Sequence, residues 1–188
     1  MREIEIKARL DNVASIVVAI AGQGGRLTKP VTQRDRVYGL PGTAGASENN
    51  DPWLRIRTQT AGDSVKYLFT LKKSITNQLD SIEYETEVSN DEELKHIIEQ
   101  LGFVPYSDLT KTRRTAKLGD IEVCVDHIDQ LGDFIELEKL TDEDLVYDDV
   151  VQELWSILDS LGVSKSHELT DGYDVLMNKH LAIAEAQN

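Results

Sequence analysis

Glu3, Glu5 and Lys7 alternate with Ile4 and Ile6 at the start of the chain. On a strand, that period puts two carboxylates and an amine on one face and the isoleucines on the other. Paired carboxylates suit a hard divalent cation, and the amine offers a point charge to an anion. The pattern recurs in Arg55 and Arg57, in Glu83, Glu85 and Glu87, in Lys111 and Arg113, in Glu122 and Asp126, and in Glu136 and Glu138. Lys72 stands on the face opposite Leu71. Guanidinium groups fork onto phosphate oxygens, and lysines act on them as point charges. Cations around a chain of phosphates, with carboxylates holding Mg²⁺ or Mn²⁺, make phosphoryl-transfer chemistry.

Such chemistry needs elements that bring these side chains together. β-like runs fall at about 3–10, 32–40, 53–60, 65–73, 82–88, 111–118, 121–128 and 134–139. Gly62-Asp63, Gly119-Asp120 and Gly132-Asp133 mark turns, and Gly119-Asp120 is tight enough for a hairpin. Residues 39–52, rich in Gly, Ala, Ser and Asn, read as a mobile loop. Helical spacing appears at Val13, Ile16, Val17 and Ile20, at Leu94, Ile97, Ile98 and Leu101, and at Val150, Leu154, Ile157, Leu158 and Leu161. A fourth helix is expected from about Asp171 to near Glu185.

The alternate strand faces are apolar: Ile4 and Ile6, Leu54 and Ile56, Val123 and Val125, Ile135 and Leu137. A simple sheet with its charged face in water explains any one strand. It explains the set less well, because Arg and Glu displace Ser, Thr, Asn and Gln from the polar faces. A closed barrel of eight or so strands accounts for all of them, with apolar side chains outward under the helices and charged ones inside. Buried charges are costly unless they pair, bind metal or meet a ligand. The fold class is therefore α+β, a barrel with a charged interior and about four helices.

The 188 residues fit a single domain, 1–188. The net charge of −14 opposes nucleic acid and anionic membranes as partners. No apolar run is long enough to span a bilayer, and the start of the chain does not read as a secretory leader. The lone Cys124 excludes an internal disulfide and fits a reducing cytoplasm. Gly22-Gln23-Gly24-Gly25 follows a helix and lacks the Lys-Ser/Thr ending of a phosphate loop. His127 has the parity of the outer face, and His96, His167 and His180 read as surface residues.

The ordered motifs resemble the CYTH family, the triphosphate tunnel metalloenzymes, and lean toward its class IV adenylyl cyclase branch. They are E-x-E-x-K at Glu3–Lys7, L-R-x-R at Leu54–Arg57, T-x-K at Thr70–Lys72, E-x-E-x-E at Glu83–Glu87, K-x-R at Lys111–Arg113 and the segment Asp126–Glu138. Tyr173-Asp174-Val175-Leu176 is similar to the family's terminal helix, with Gly172 in place of Ser. In Asp35-Arg36-Val37-Tyr38-Gly39, Val37 holds a slot that is usually aromatic and Gly39 one that is usually acidic. The resemblance implies an eight-stranded antiparallel barrel open as a tunnel, dependence on Mg²⁺ or Mn²⁺, and a triphosphate-bearing substrate: ATP, tripolyphosphate or thiamine triphosphate. A homodimer is compatible with it.

Carried onto this chain, the resemblance and the residue chemistry assign Glu3, Glu5 and Glu138 to metal. They assign Lys7, Asp126 and Glu136 to catalysis, and Lys7, Arg55, Arg57, Lys72, Glu85, Glu87, Lys111 and Arg113 to the substrate. A structural ion pair is the competing role for each basic residue, Arg57 above all. Glu83 is expected to balance interior cations. The implied reaction is conversion of ATP to cyclic AMP and pyrophosphate. The alternatives are hydrolysis of an inorganic or organic triphosphate, and nucleotide or polyphosphate sensing without catalysis.

Overall fold

The computed structural model describes residues 2–42, 51–142 and 145–186. Its elements run β1 (Arg2–Leu10), α1 (Val13–Gly22), β2 (Val31–Gly39), β3 (Trp53–Ala61), β4 (Ser64–Asn77), β5 (Asp80–Val88), α2 (Asp91–Gln100), β6 (Val104–Leu118), β7 (Ile121–Ile128), β8 (Gly132–Thr141), α3 (Tyr147–Ser160), a 3₁₀ turn (Lys165–His167), β9 (Glu168–Leu169) and α4 (Tyr173–Ala186). Much of the stretch expected as a mobile loop, residues 43–50, lies outside the described residues.

The strands form one antiparallel sheet in the order β5-β4-β3-β2-β6-β7-β8-β1-β9, and a further β1–β5 pairing closes the first eight into a barrel. The Gly119-Asp120 hairpin joins β6 to β7, with Gly119 at φ 65°. The turn assigned to Gly132-Asp133 sits slightly earlier: Gln130 and Gly132 take positive φ, and Gly132 already begins β8. Strands β4 and β6 extend beyond the expected runs, and β9 lies outside the barrel on β1.

The outward strand faces carry the apolar core. Ile4, Ile6, Val123, Val125, Ile135 and Leu137 pack beneath Ile16 and Ile20 of α1 and Leu154 and Leu158 of α3. Asn12 and Asn90 cap α1 and α2 by accepting from the backbone N–H groups of Ser15 and Glu93. Ile98 of α2 covers Leu54 and Ile56 on the outer face, while Tyr173 and Met177 of α4 pack against Leu109, Ile128 and Phe134, which have the parity of the cavity face. Each such aliphatic side chain stabilises by about 1.5–3 kcal/mol when withdrawn from water.

Closure is the thinnest part of the tube. Strand β1 pairs with β8 over nine residue pairs but with β5 over three, Arg2–Ile82, Glu3–Ser81 and Ile4–Asp80. The next backbone donor, the Glu5 N–H, reaches Leu79 O at 2.8 Å. A buried clamp reinforces the seam: Arg2 Nε and Nη2 donate to the two Asp80 oxygens at 2.8 and 3.1 Å, and Thr76 Oγ1 donates to Oδ2. Farther along, β9 takes up the same edge of β1 at Lys7 and Ala8. Removing one member of a buried pair strands the other charge. Asp80→Ala is therefore expected to lower unfolding free energy by about 3–5 kcal/mol in urea titrations. A loss no larger than that from Lys66→Ala, at an exposed pair with Glu87, would show that the clamp does not hold the seam.

Candidate functional site: a charge-lined tunnel

Inside the barrel lies a cavity of about 490 Å³. Its wall is built by strand alternation, one side chain in two from each strand. Glu3, Glu5 and Lys7 come from β1, Arg55 and Arg57 from β3, Lys72 from β4, Glu83 and Glu85 from β5, Lys111 and Arg113 from β6, and Glu136 and Glu138 from β8. Asp126 of β7 stands behind Arg113, almost fully buried. Glu87 is not brought to this cavity: it lies exposed on β5 and pairs with Lys66 at 3.2 Å. Arg9, which shares the parity of Glu3, Glu5 and Lys7, is exposed, lies over the Phe134 ring and donates to Leu131 O.

Cross-strand register sets the ion pairs. Lys7 faces Glu136, with Nζ 3.1 Å from Glu136 Oε1 and 3.7 Å from Glu5 Oε1. Arg113 grips Asp126 through Nε and Nη2 at 2.8 and 2.6 Å, meets Glu136 through Nη2, and reaches Glu138 Oε1 at 3.1 Å. Arg57 makes a two-pronged contact with Asp35 at 2.7 and 2.8 Å. Lys72 bridges Glu3 at 2.9 Å and Glu83 at 2.6 Å. Arg55 spans Thr70, Glu83 and Glu85 at 3.1–3.3 Å. Lys111 is held more loosely, 3.4 Å from Asp126, with its ammonium over the Tyr173 ring.

Burial raises a carboxyl pKa and neighbouring cations lower it, and the balance differs around the wall. At Glu136, Lys7 and Arg113 overcome burial and hold the group well below the usual range. Arg57 does the same for Asp35, and Arg113 with Lys111 for Asp126. At Glu3 burial prevails over Lys72, with Glu138 adding to it, and the pKa is raised to about 7. Glu5 is also raised, by burial and then by Glu136. Among the cations, Lys111 is pushed down by burial and by Arg113, whereas Lys7 and Lys72 are raised because their carboxylate partners outweigh burial.

The donor set fits a hard divalent cation. Carboxylate oxygens of Glu5, Glu136 and Glu138 lie within 4.8 Å of one another, a spacing that a single ion could span. Glu3, expected among the ligands, turns toward Lys72 and lies outside this spacing, while Glu136 falls within it. Carboxylates outnumber cations on the cavity wall. A polyanion alone would therefore find no excess of positive charge once these carboxylates ionise, and bound divalent cations would supply it. Cys124, alone in the chain, is buried with Sγ 3.5 Å from Glu138 Oε1, and burial pushes its thiol pKa far up. His127 is exposed and bound to Asp133, away from the cavity.

Sequence reasoning missed several wall residues. Asp35, which the sequence offers only within a motif, faces Arg57 across the β2–β3 register. Tyr173 and Asp174 enter from α4, and the Tyr173 ring lies under both Lys7 and Lys111, at 4.2 and 4.9 Å. Gln33 and Gln59, also cross-strand neighbours, line the wall as a hydrogen-bonded pair. Strand parity was the available signal for the three β2 and β3 residues.

A closed barrel lined by cations and clustered carboxylates has the lining that a polyanion and a divalent cation would require. Comparison with known proteins gives its family: residues 1–173 match the CYTH domain, and the chain belongs to the CYTH family. It is 30% identical over 173 residues to the protein named "Putative adenylate cyclase MJ0240" of Methanocaldococcus jannaschii, covering 92% of this chain and 97% of that one. It is 25% identical over 183 residues to adenylate cyclase CyaB of Aeromonas hydrophila, covering 96% and 91%. In fold it is similar to a Pyrococcus horikoshii protein of known structure, with TM-score 0.79, 23% identity and coverage of 94% and 99%.

The raised Glu3 carries a pH consequence. Between its ordinary 4.5 and about 7, the folded protein keeps a proton that the unfolded chain has lost. Its stabilising contribution is thus complete below pH 4.5 and falls as pH rises toward 7, and Glu5 acts in the same direction. In chelator, urea midpoints should fall between pH 5 and 7.5, and Glu3→Gln should reduce that fall. An unchanged pH slope in the variant would remove Glu3 as its source.

Proposed function

We propose that the protein is a Mg²⁺- or Mn²⁺-dependent enzyme of triphosphate chemistry, converting ATP to cyclic AMP and pyrophosphate. The observation that carries this reading is the enclosed belt of Lys7, Arg55, Arg57, Lys72, Lys111 and Arg113 beside a carboxylate cluster with the spacing of a metal site. Its similarity over nearly the whole chain to proteins named as adenylate cyclases supports the choice of reaction.

In this reading, Lys72, Arg55, Arg57, Lys111 and Arg113 hold the phosphate chain. Lys111 is the most available of them, because its one carboxylate contact among the described residues is long. Asp126 and Asp35 position Arg113 and Arg57 from behind. Lys7, fixed between Glu136 and Glu5, places positive charge where charge develops on the α-phosphate. Glu5, Glu136 and Glu138 would hold the ion, with Glu3 adjoining, and a bound divalent cation neutralises phosphate charge and favours in-line attack. The ribose 3′-oxygen bonds to the α-phosphorus as the bond to the β-phosphate bridging oxygen breaks. The hydroxyl proton passes to water, and pyrophosphate leaves with the bonding electron pair.

Incubation with ATP, tripolyphosphate or thiamine triphosphate, each with Mg²⁺ or Mn²⁺, tests the reading. Cyclic AMP and pyrophosphate are expected from ATP. Orthophosphate released from tripolyphosphate or thiamine triphosphate, with no cyclic AMP from ATP, would make the protein a triphosphatase. Tight binding without turnover would make it a sensor. Glu5→Gln is expected to lower metal-dependent turnover by about 100-fold or more with the circular dichroism spectrum unchanged. Wild-type rates in that variant would exclude Glu5 from the site. Lys111→Ala is expected to raise KM by about 10-fold or more, as befits a lost charged hydrogen bond. Unchanged saturation would show that this lysine does not hold phosphate.

A further inference from the structure

Gln33 is 4% exposed, and its Nε2 donates to Gln59 Oε1 at 2.7 Å. Its own Oε1 is buried with no partner among the described residues. Turning the amide over would exchange the leftover atom without removing the deficit. A buried polar atom left alone costs about 1–3 kcal/mol, so it requires an explanation. Both glutamines line the cavity.

We propose that the Gln33–Gln59 pair is the subsite that reads the base of an adenine nucleotide; this rests on the ATP reading above. Most polar groups on the wall are ionic and suit phosphate or metal. Around Gln33 the wall adds the uncharged Val31, Gln59, Thr28 and Thr115 to the neighbouring Lys29, Lys111, Arg113 and Glu122, so a neutral heterocycle would sit beside the phosphate-binding cations. The subsite adjoins the phosphate belt, since Gln33 faces Lys111 across β2–β6. An amide offers an acceptor and a donor, the complement of the adenine amino group and its adjacent ring nitrogen. A Gln33 oxygen placed to accept the amino N–H would meet the carbonyl oxygen of guanine with repulsion. The other end of the cavity, at Val37, is four residues along the strand, about 13 Å away. There Trp53 is flanked by Lys72, Arg55 and Glu83, and its Nε1 is likewise buried with no partner among the described residues. An indole N–H, however, offers a donor alone where the adenine edge needs a donor and an acceptor.

Calorimetric titration with Mg²⁺ and ATP, GTP, purine riboside triphosphate (which lacks the amino group) or tripolyphosphate tests the assignment. Wild-type protein is expected to favour ATP over GTP and over the purine analogue by about 10- to 100-fold, the range for one base-edge contact. In Gln33→Leu those preferences should collapse toward unity. Should that variant not fold, Gln59→Leu, which removes the partner that orients Gln33, should reduce the same ratios. Preferences that survive in a folded variant would overturn the inference and leave the ATP reading standing. Wild-type protein that binds tripolyphosphate but not ATP would overturn both.

Discussion

Charges withdrawn from water inside a barrel must neutralise one another or be neutralised by something bound, and this requirement organises the molecule. Arg113 shows how far mutual neutralisation goes, with Asp126, Glu136 and Glu138 gathered around one guanidinium. Each partner comes from a different position across the β6–β7–β8 register, so the network also locks three strands against slipping by one residue. Such a lattice does not raise stability above that of an apolar interior. What it provides is a set of cations already turned inward and held rigid before any ligand arrives. Preorganised charge acts on a developing anion without reorganisation during reaction.

The compensation is uneven, and the unevenness is informative. Glu136, Asp126 and Asp35 are fully served by cations and held ionised. Glu3 and Glu5 are not, and burial pushes their pKa values up. The wall thus separates carboxylates that fix the cations from carboxylates with unspent demand for positive charge. Glu5 is the member of the second group that lies within metal-spanning distance of Glu136 and Glu138.

Much of this was legible in the sequence, because strand parity is a two-valued code. The alternation of Glu3, Glu5 and Lys7 with isoleucines, repeated in β3, β6 and β8, was enough to call for an inverted barrel. Parity does not say where along its length a strand leaves the cavity. Arg9 and Glu87 have the right face but lie past the ends of the enclosed space. Nor does it specify partners: Asp35 and Arg57 meet only once the β2–β3 register is fixed. Tyr173 was harder still, since it is remote in sequence and arrives on a helix whose period gives no hint of the lysines above its ring. The two-residue β9 is too short to leave a periodic signature.

The brief β1–β5 contact has a consequence for the shape of the tube. Every other neighbouring strand pair in the barrel is joined along most of its length, whereas this one holds over three residue pairs. Undoing those few ladder bonds would turn the cylinder into an open trough while leaving all other strand pairings intact. Glu3 sits on that seam, so the width of the slot and the reach of a carboxylate beside the Glu5–Glu136–Glu138 cluster depend on the same few backbone contacts and on the Arg2–Asp80 clamp that reinforces them.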